Sequence, residues 1–537
     1  MHFATAFETI ADVIGDHPAL VHGATRRTWT EYDERGACFA NALRAAGLRP
    51  DSKFGLYLYN SNEYLEAQFG GLKMRAVPVN VNYRYLDEEL RYLLDNADAE
   101  ALVFHSSLAD RVARVRERLP RLKLLVEVDD GGPHLDGAAR YEDVIAAHVP
   151  MPRIARDESD LYMFYTGGTT GMPKGVMYAI GGFTEGFARL AYDLAGLAAP
   201  TDIAAMAPVV AQLARAGPLE VSIPCCPLMH GTGIWLGAMM PMFTGATIVT
   251  LTNRSFDARE MWSTASREHA TSLVIVGDAF AKPMVRAWDD DLAAGVSHDV
   301  SPLRRIVSSG VMWTAEVKEA LLARLGELTL IDAIGSTEGS IGISVTTKAV
   351  ATPTARFSTN PATKVFTEDG RLVAPGSGDV GMVAAGGIVP IGYYKDAAKS
   401  ERTFRVIDGV RYSFAGDWAT VEADGSLTLL GRGSQCINTG GEKVFPEEVE
   451  EAVKRVEGVY DCLVVGVPDD KFGERVMAIA SLVPGSPITG TDIVAACKAM
   501  LAGYKAPKNV VLVANVPRAP NGKADYKKAK EIALTAS

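Results

Sequence analysis

Short apolar runs punctuate the chain. "LYMFYT", "TSLVIVGD", "LRRIVSSG" and "LTLIDAIG" each read as a buried strand ending in a Gly- or Ser-rich loop. Between them lie stretches such as "TAEVKEALLARLG", whose apolar residues recur about every 3.6 positions, the period of a helix. Strands alternating with helices predict an α/β fold with mixed, largely parallel sheets and flanking helices. Ligands in such folds sit beyond the carboxyl ends of the strands. The loops at Thr166, Ser308 and Gly335 all leave strands at that end, which makes them candidates for one cleft.

The texture changes near "LLGRGSQCINTGGEKVFPEEVEEAVKRVEGV". A Gly/Ser-rich stretch leads to Pro446, a residue suited to the first position of a helix. Glu447 and Glu448 suit its first turn. Val449, Val453 and Val456 mark an apolar face, Gly458 marks the end, and "YDCLVVGVPD" follows as a strand. The expected organisation is a large N-terminal domain, 1–433, and a small mobile α+β domain, 434–537, with a hinge at Ser434.

Val221 to Asn253 contains no Asp, Glu, Lys or Arg. Prolines and glycines break it, so strand, loop, short helix and strand inside a core are expected rather than a membrane span. The first twenty residues carry early acids and no apolar core before a cleavage site, so no signal peptide is expected. Of 537 residues, 48% are hydrophobic, enough for two or three cores. The net charge of -11 argues against nucleic acid as a partner, and the Lys-rich "KADYKKAK" reads as a solvated helix face. Six cysteines lack disulfide-framework or zinc spacing. Cys225 and Cys226 read as buried thiols and Cys436 as structural. A cytoplasmic protein is expected. Peripheral membrane contact and a homodimer stay open.

The candidate chemistry begins at "YTGGTTGMPKGVM", Tyr165 to Met177, with four glycines and three threonines around Lys174. It is no Walker A loop, because Pro173 keeps a helix from starting there. Exposed backbone N–H groups and hydroxyls suit a mobile clamp over a polyphosphate.

Further pieces follow in order: "PLMHGTG" at Pro227, "SSG" at Ser308, "AIGSTEG" at Ala333, "YSFAGDWATVEADGSLTLLGR" at Tyr412, "GGEKVFPEEVE" at Gly440, "GVPDDKFGERV" at Gly466 and "PRAPNGKADY" at Pro517. The earlier stretch "VPVNVNYRYLDEELRYLLDNADAEALVF" agrees with them. Over nearly the full length, this series resembles the adenylate-forming superfamily of acyl-CoA synthetases, peptide-synthetase adenylation domains and luciferases. The likeness is to fatty-acyl or steroid acyl-CoA ligases of actinobacterial type.

The resemblance implies ATP, Mg²⁺ and coenzyme A as cofactors and a hydrophobic carboxylic acid as substrate. The acid attacks the α-phosphorus of ATP, and a thiol then displaces AMP. Positioning and charge neutralisation carry such a reaction. By resemblance, Thr166, Gly167, Gly168, Thr169, Thr170, Gly171 and Lys174 close over the β- and γ-phosphates, and Glu338 with Thr166 holds Mg²⁺. Gly310, Ala333, Ile334 and Gly335 border adenine, with Ser336 and Thr337 following. Asp417 takes the ribose hydroxyls beside Arg432. Lys523 bridges the carboxylate and the α-phosphate. His230, Gly231, Thr232 and Gly233 wall the acyl pocket, the glycines leaving room for a wide group.

The chain departs from the family pattern in three places. Ile334 replaces an aromatic, Ser434 fills a hinge position usually Asp or Lys, and "YAIGG" replaces a Thr-His pair. An Ala/Leu-rich spacer, Phe183 to Gly217, reads as a wall or lid over a large acyl pocket. The expected function is an ATP-dependent ligase joining a long-chain or steroid side-chain acid to coenzyme A. The alternatives are transfer to a carrier-protein thiol or other acceptor, and a silent acyl-binding protein.

Overall fold

The computed structural model describes residues 1–166, 172–439, 442–469, 472–519 and 522–536, without the side chains of Ser434 and Lys443. The chain opens with helix α1 (Phe3–Ile14), capped by the His2 ring, which accepts the Ala4 N–H. Phe3, Phe7, Ile10 and Ile14 recur on one face and are buried in the largest core. The first sheet is all parallel, in the order 77–80, 53–57, 99–105, 124–128, 139–140.

Next comes a difference from the sequence reading. "LYMFYT" forms β1 (Leu161–Thr166), but its partner is the antiparallel β2 (Lys174–Ala179). Thr166 and Lys174 are register partners, so both ends of the phosphate-loop motif stand side by side. Gly167 to Gly171 lie outside the described residues. A short-range hairpin carries the same apolar signature as a buried parallel strand, and burial on both faces hides the distinction.

The spacer after β2 is two helices, α2 (Ile180–Leu194) and α3 (Met206–Ala216). The uncharged stretch beyond them holds β3 (Val221–Pro224), a π-helical segment Thr232–Met239, and β4 (Thr247–Thr250). Among the described residues, no helix is long and apolar enough to cross a membrane. β5 (Ser272–Ile275), β6 (Arg305–Ser309) and β7 (Thr329–Ser336) join β3 and β4 in a parallel block. β5 is fully buried, as expected for a strand covered on both faces.

The sheet reverses at β8 (Gly339–Thr346), whose exposure alternates along the strand, and runs on antiparallel to a total of thirteen strands. β9 (Gly392–Tyr393) pairs instead with β2 and leads into α4 (Ala397–Thr403). β10 (Asp417–Val421) and β11 (Leu427–Arg432) form a hairpin in the antiparallel part.

From Ile437 on, the chain builds a separate five-stranded sheet with two cores of its own. Its first helix, α5 (Pro446–Lys454), has Pro446 at the predicted position and buries Val449 and Val453. The helix stops short of Gly458, whose φ of +89° sits in the turn toward the next strand. The last helix is α6 (Tyr526–Thr535).

Candidate active site beyond the parallel strands

The end of β1 and the loops leaving β6 and β7 meet at one cavity of about 1240 Å³. Thr166 ends β1 at its edge. Gly310 follows β6, and Ala333, Ile334, Gly335, Ser336 and Thr337 line it from the end of β7. His230, Gly231 and Thr232 enter from the loop after β3, and Lys523 reaches in from the C-terminal unit. Gly310 has φ of +91°, and a Cβ there would lie 3.7 Å from Lys523 Cε and from Thr232 Oγ1. Gly310 therefore marks the crossing of the loop after β6, the π-helical segment and the C-terminal lysine.

Two asparagines absent from the sequence-based site hold this crossing. The Asn80 amide donates to the carbonyls of Tyr165 and Met229, both at 2.8 Å, and its Oδ1 accepts the Tyr165 N–H at 2.7 Å. It ties the end of β1 to the residue before His230. Asn60 does the same for Cys226 and Leu228. Both lie in the early region, where only "VPVNVNYRY" gave a signal.

Electrostatics differ sharply between the two central bases. Burial, then Lys523 and Arg84, push the His230 imidazole down to about 3, so it is neutral near pH 7. Lys523 is exposed to the cavity yet walled by protein. Burial leads in holding its ammonium below the usual range, Arg432 adds to that, and Glu338 opposes it. The Lys523 turn is built locally: Ala519 N–H donates to the Lys523 carbonyl at 2.7 Å, and Arg518 binds the Gly522 carbonyl while pairing with Asp461.

Lys174, Glu338, Asp417 and Arg432 do not line the cavity itself, although Glu338 follows Thr337 of its wall and, with Arg432, acts on the charge of Lys523. Arg432 Nε is 3.2 Å from Asp417 Oδ1, across paired positions of β10 and β11. Burial raises the Asp417 carboxyl, and Arg432 pulls it back. Glu338 Oε1 accepts the Tyr393 hydroxyl at 2.8 Å. Lys174 Nζ lies 2.5 Å from Asp396 Oδ2. No group of three or more His, Cys, Asp or Glu able to hold a metal occurs among the described residues. Mg²⁺ takes one or two protein oxygens and completes its shell with phosphates and water, and the Glu338 carboxylate and Thr166 hydroxyl are donors of that type.

One arm of the cavity runs along α2, from Gly182 to Asp193, where Phe183, Phe187 and Leu190 line it together with Glu185, Arg189 and Asp193. At 1.5 Å per residue this is roughly 16 Å. The spacer is thus divided: α2 is the wall that the sequence suggested, whereas α3 packs on α1. Opposite stands an aromatic group that the sequence reading did not single out. Trp235 donates to Tyr162 Oη at 2.8 Å and lies 4.7 Å from the Phe164 ring and 5.3 Å from Phe183, centre to centre. A side chain at Gly231 would meet Trp235 Cε3 at 2.8 Å. The space left by Gly231 is therefore filled by Trp235, which becomes the wall. Gly233 is not in the wall: its missing Cβ makes room for the Pro227 carbonyl, 2.3 Å from where that carbon would be. The expectation that both glycines widen the pocket is corrected on these contacts. The Lys-rich end contributes as well, since Lys527 and Lys530 of α6 face the same cavity.

A second cavity of about 500 Å³ lies behind Cys226, Pro227 and Ala519, which border both spaces. Arg84, Arg254, Lys282 and Arg518 line it with Asp278 and Asp461, an excess of positive charge, and Tyr59 and Tyr460 carry Arg254 and Lys282 over their rings.

The AMP-binding enzyme model matches residues 7–394, and the AMP-binding enzyme C-terminal domain model matches residues 448–523. The 3-oxocholest-4-en-26-oate–CoA ligase of Rhodococcus rhodochrous is 38% identical over 99% of this chain and 96% of its own length. A medium/long-chain-fatty-acid–CoA/3-oxocholest-4-en-26-oate–CoA ligase of Mycolicibacterium smegmatis is 37% identical over the same shares. Among solved structures, the anthranilate CoA ligase AuaEII with anthranoyl-AMP superposes with a TM-score of 0.84 at 24% identity, over 100% of this chain and 98% of that one, a likeness of fold.

Proposed function

The chain belongs to the AMP-binding enzyme family, and from that premise we propose that it is an ATP-dependent acyl-CoA ligase for a bulky hydrophobic carboxylic acid. One observation carries the reading: Lys523, the strand-end loops around Gly310 and the α2 arm all line a single cavity, with Lys523 next to Gly310. A long-chain or steroid side-chain acid suits the long arm, in keeping with what the relatives are named for.

In the first step an oxygen of the acid bonds to the α-phosphorus of ATP. The bond to the bridging oxygen breaks, and its electron pair leaves on pyrophosphate. Lys523 supplies positive charge between carboxylate and phosphate. Neutral His230 can donate or accept one hydrogen bond there without adding charge. Asp417 and Arg432 receive the ribose, and the end of β7 receives adenine. Glu338 and Thr166 would hold Mg²⁺, which would supply positive charge against the phosphates. In the second step the thiol of coenzyme A displaces AMP. The second cavity, with an excess of cations and two aromatic rings, suits the phosphates and adenine of coenzyme A, and Cys226, Pro227 and Ala519 line both it and the cavity of the reaction centre.

The test is acid-dependent exchange of labelled pyrophosphate into ATP across acids of rising bulk, followed by product analysis with coenzyme A. Exchange with long or steroid acids and a thioester product are expected. Exchange without thioester would move the second step to another acceptor. No exchange with any acid would end the reading.

A further inference from the structure

Lys174 and Lys399 turn toward the same aromatic ring. Their Nζ atoms lie 5.9 and 4.8 Å from the Tyr393 ring centre, and the Tyr393 hydroxyl is the one that donates to Glu338. Backbone pairing sets this arrangement. Tyr393 on β9 is the register partner of Val176 on β2, and Tyr394 N–H donates to the Gly175 carbonyl at 2.7 Å. Lys399 is thereby brought beside the residue that begins β2.

One carboxylate serves both lysines. Asp396 gives Oδ2 to the Lys174 ammonium and Oδ1 to the Lys399 backbone N–H at 3.1 Å, which caps α4. Among the described residues, the Lys399 ammonium makes no ion pair of its own; it rests on the ring. Partial burial, then the neighbouring Lys174, hold it below the usual lysine range, against the pull of Glu338 and Asp396. A cation set against another cation, with no carboxylate of its own, is prepared for an anion that can use both.

We propose that Lys399 is a second pyrophosphate-binding residue, which with Lys174 grips the β- and γ-phosphates of ATP, and that Asp396 is the partner Lys174 gives up when they arrive. The idea rests on the acyl-adenylate reading for its role in turnover: two ammonium groups meet the charge that accumulates on the leaving pyrophosphate. It does not rest on that reading for binding, which is measured without the acid.

The test is calorimetric titration of the full chain with pyrophosphate, ATP and AMP, each with Mg²⁺. Lys399→Met keeps the packing on Tyr393 and removes the charge. It should weaken pyrophosphate and ATP by about tenfold or more, leave AMP and thermal stability unchanged, and be largely rescued in Lys399→Arg. Asp396→Asn keeps the cap acceptor and should tighten pyrophosphate by releasing Lys174. Unchanged pyrophosphate affinity in Lys399→Met, or an equal loss for AMP, overturns the assignment. Weaker pyrophosphate binding in Asp396→Asn overturns the exchange of partners. Wild-type chain that fails to bind pyrophosphate sinks this proposal. Wild-type chain that binds it but exchanges none into ATP sinks the ligase reading alone.

Discussion

Trp235 decides how wide the acyl arm is, and it does so from the place that Gly231 leaves open. Trp235→Ala should lower stability, by less than the roughly 3–5 kcal/mol of a fully buried aromatic, because Trp235 is only partly buried and borders the cavity. It should also raise kcat/KM for the bulkiest acids relative to octanoate. Gly231→Val should press Trp235 aside and shift preference toward smaller acids. Gly233→Val meets the Pro227 carbonyl instead, so it should lower the unfolding temperature without moving the preference. A preference shift from Gly233→Val, with none from Gly231→Val, would reverse these assignments. For Lys523, adenylate formation should nearly vanish in Lys523→Ala. Thioester formation from pre-made acyl-adenylate should be largely spared, because no carboxylate then has to be bridged to ATP. Near-normal pyrophosphate release would refute the placement. These residues also show what sequence can reveal. That Thr166, Gly310 and Lys523 border one cavity was legible, because each stands inside a motif of fixed residue types. Trp235, Asn60 and Asn80 were not, because their importance lies in what they touch: a glycine four residues back, or carbonyls more than eighty residues away.

At the scale of elements, α5 carries a pH-dependent contact. Its Glu447 packs under β11, where a side chain at Gly431 would meet Glu447 Oε2 at 2.0 Å, so only glycine fits there. Burial leads in raising the Glu447 carboxyl to about 8, with Glu450 next and Asp417 adding to it, while hydrogen bonds from the Glu447 and Arg432 backbone pull the other way. The sign follows from linkage. A carboxyl raised in the packed state contributes fully below its ordinary value near 4.5 and loses that contribution as pH rises through about 8. Wild type should therefore lose thermal stability between pH 6 and 9 by more than Glu447→Gln does, read as the difference between their unfolding temperatures at each pH. Parallel curves would show that Glu447 does not titrate in the packed state. The start of α5 was legible from Pro446 and the acids after it, since helix starts are local chemistry. The antiparallel pairing of β1 was not, because burial on both faces gives a hairpin strand the same apolar run as a parallel one.

Across the whole molecule, the C-terminal unit has its own cores yet is docked by a few contacts. Lys282 and Arg286 sit over the Tyr460 ring, Lys282 also donates to the Tyr460 carbonyl, and α5 lies on β11. In this arrangement Lys523 is at the centre, as adenylate formation needs. For the proposed second step we propose that the unit turns to bring a different face to the same place. Ser434 is the proposed pivot; it lies in a single 3₁₀ turn, Gly433–Gln435, between β11 and the separate sheet. Gly433 N–H there donates to the Gly416 carbonyl at 2.9 Å, anchoring the near side of the hinge to the large unit. Proline fixes φ near -65° and restricts the residue before it, so Ser434→Pro should hold the unit in one arrangement. If the docked arrangement is the one retained, acid-dependent pyrophosphate exchange survives while transfer from pre-made acyl-adenylate to coenzyme A falls by orders of magnitude. Single-turnover measurement of each step separates the two. Equal loss of both steps, with normal unfolding temperature, would place the pivot elsewhere in the chain.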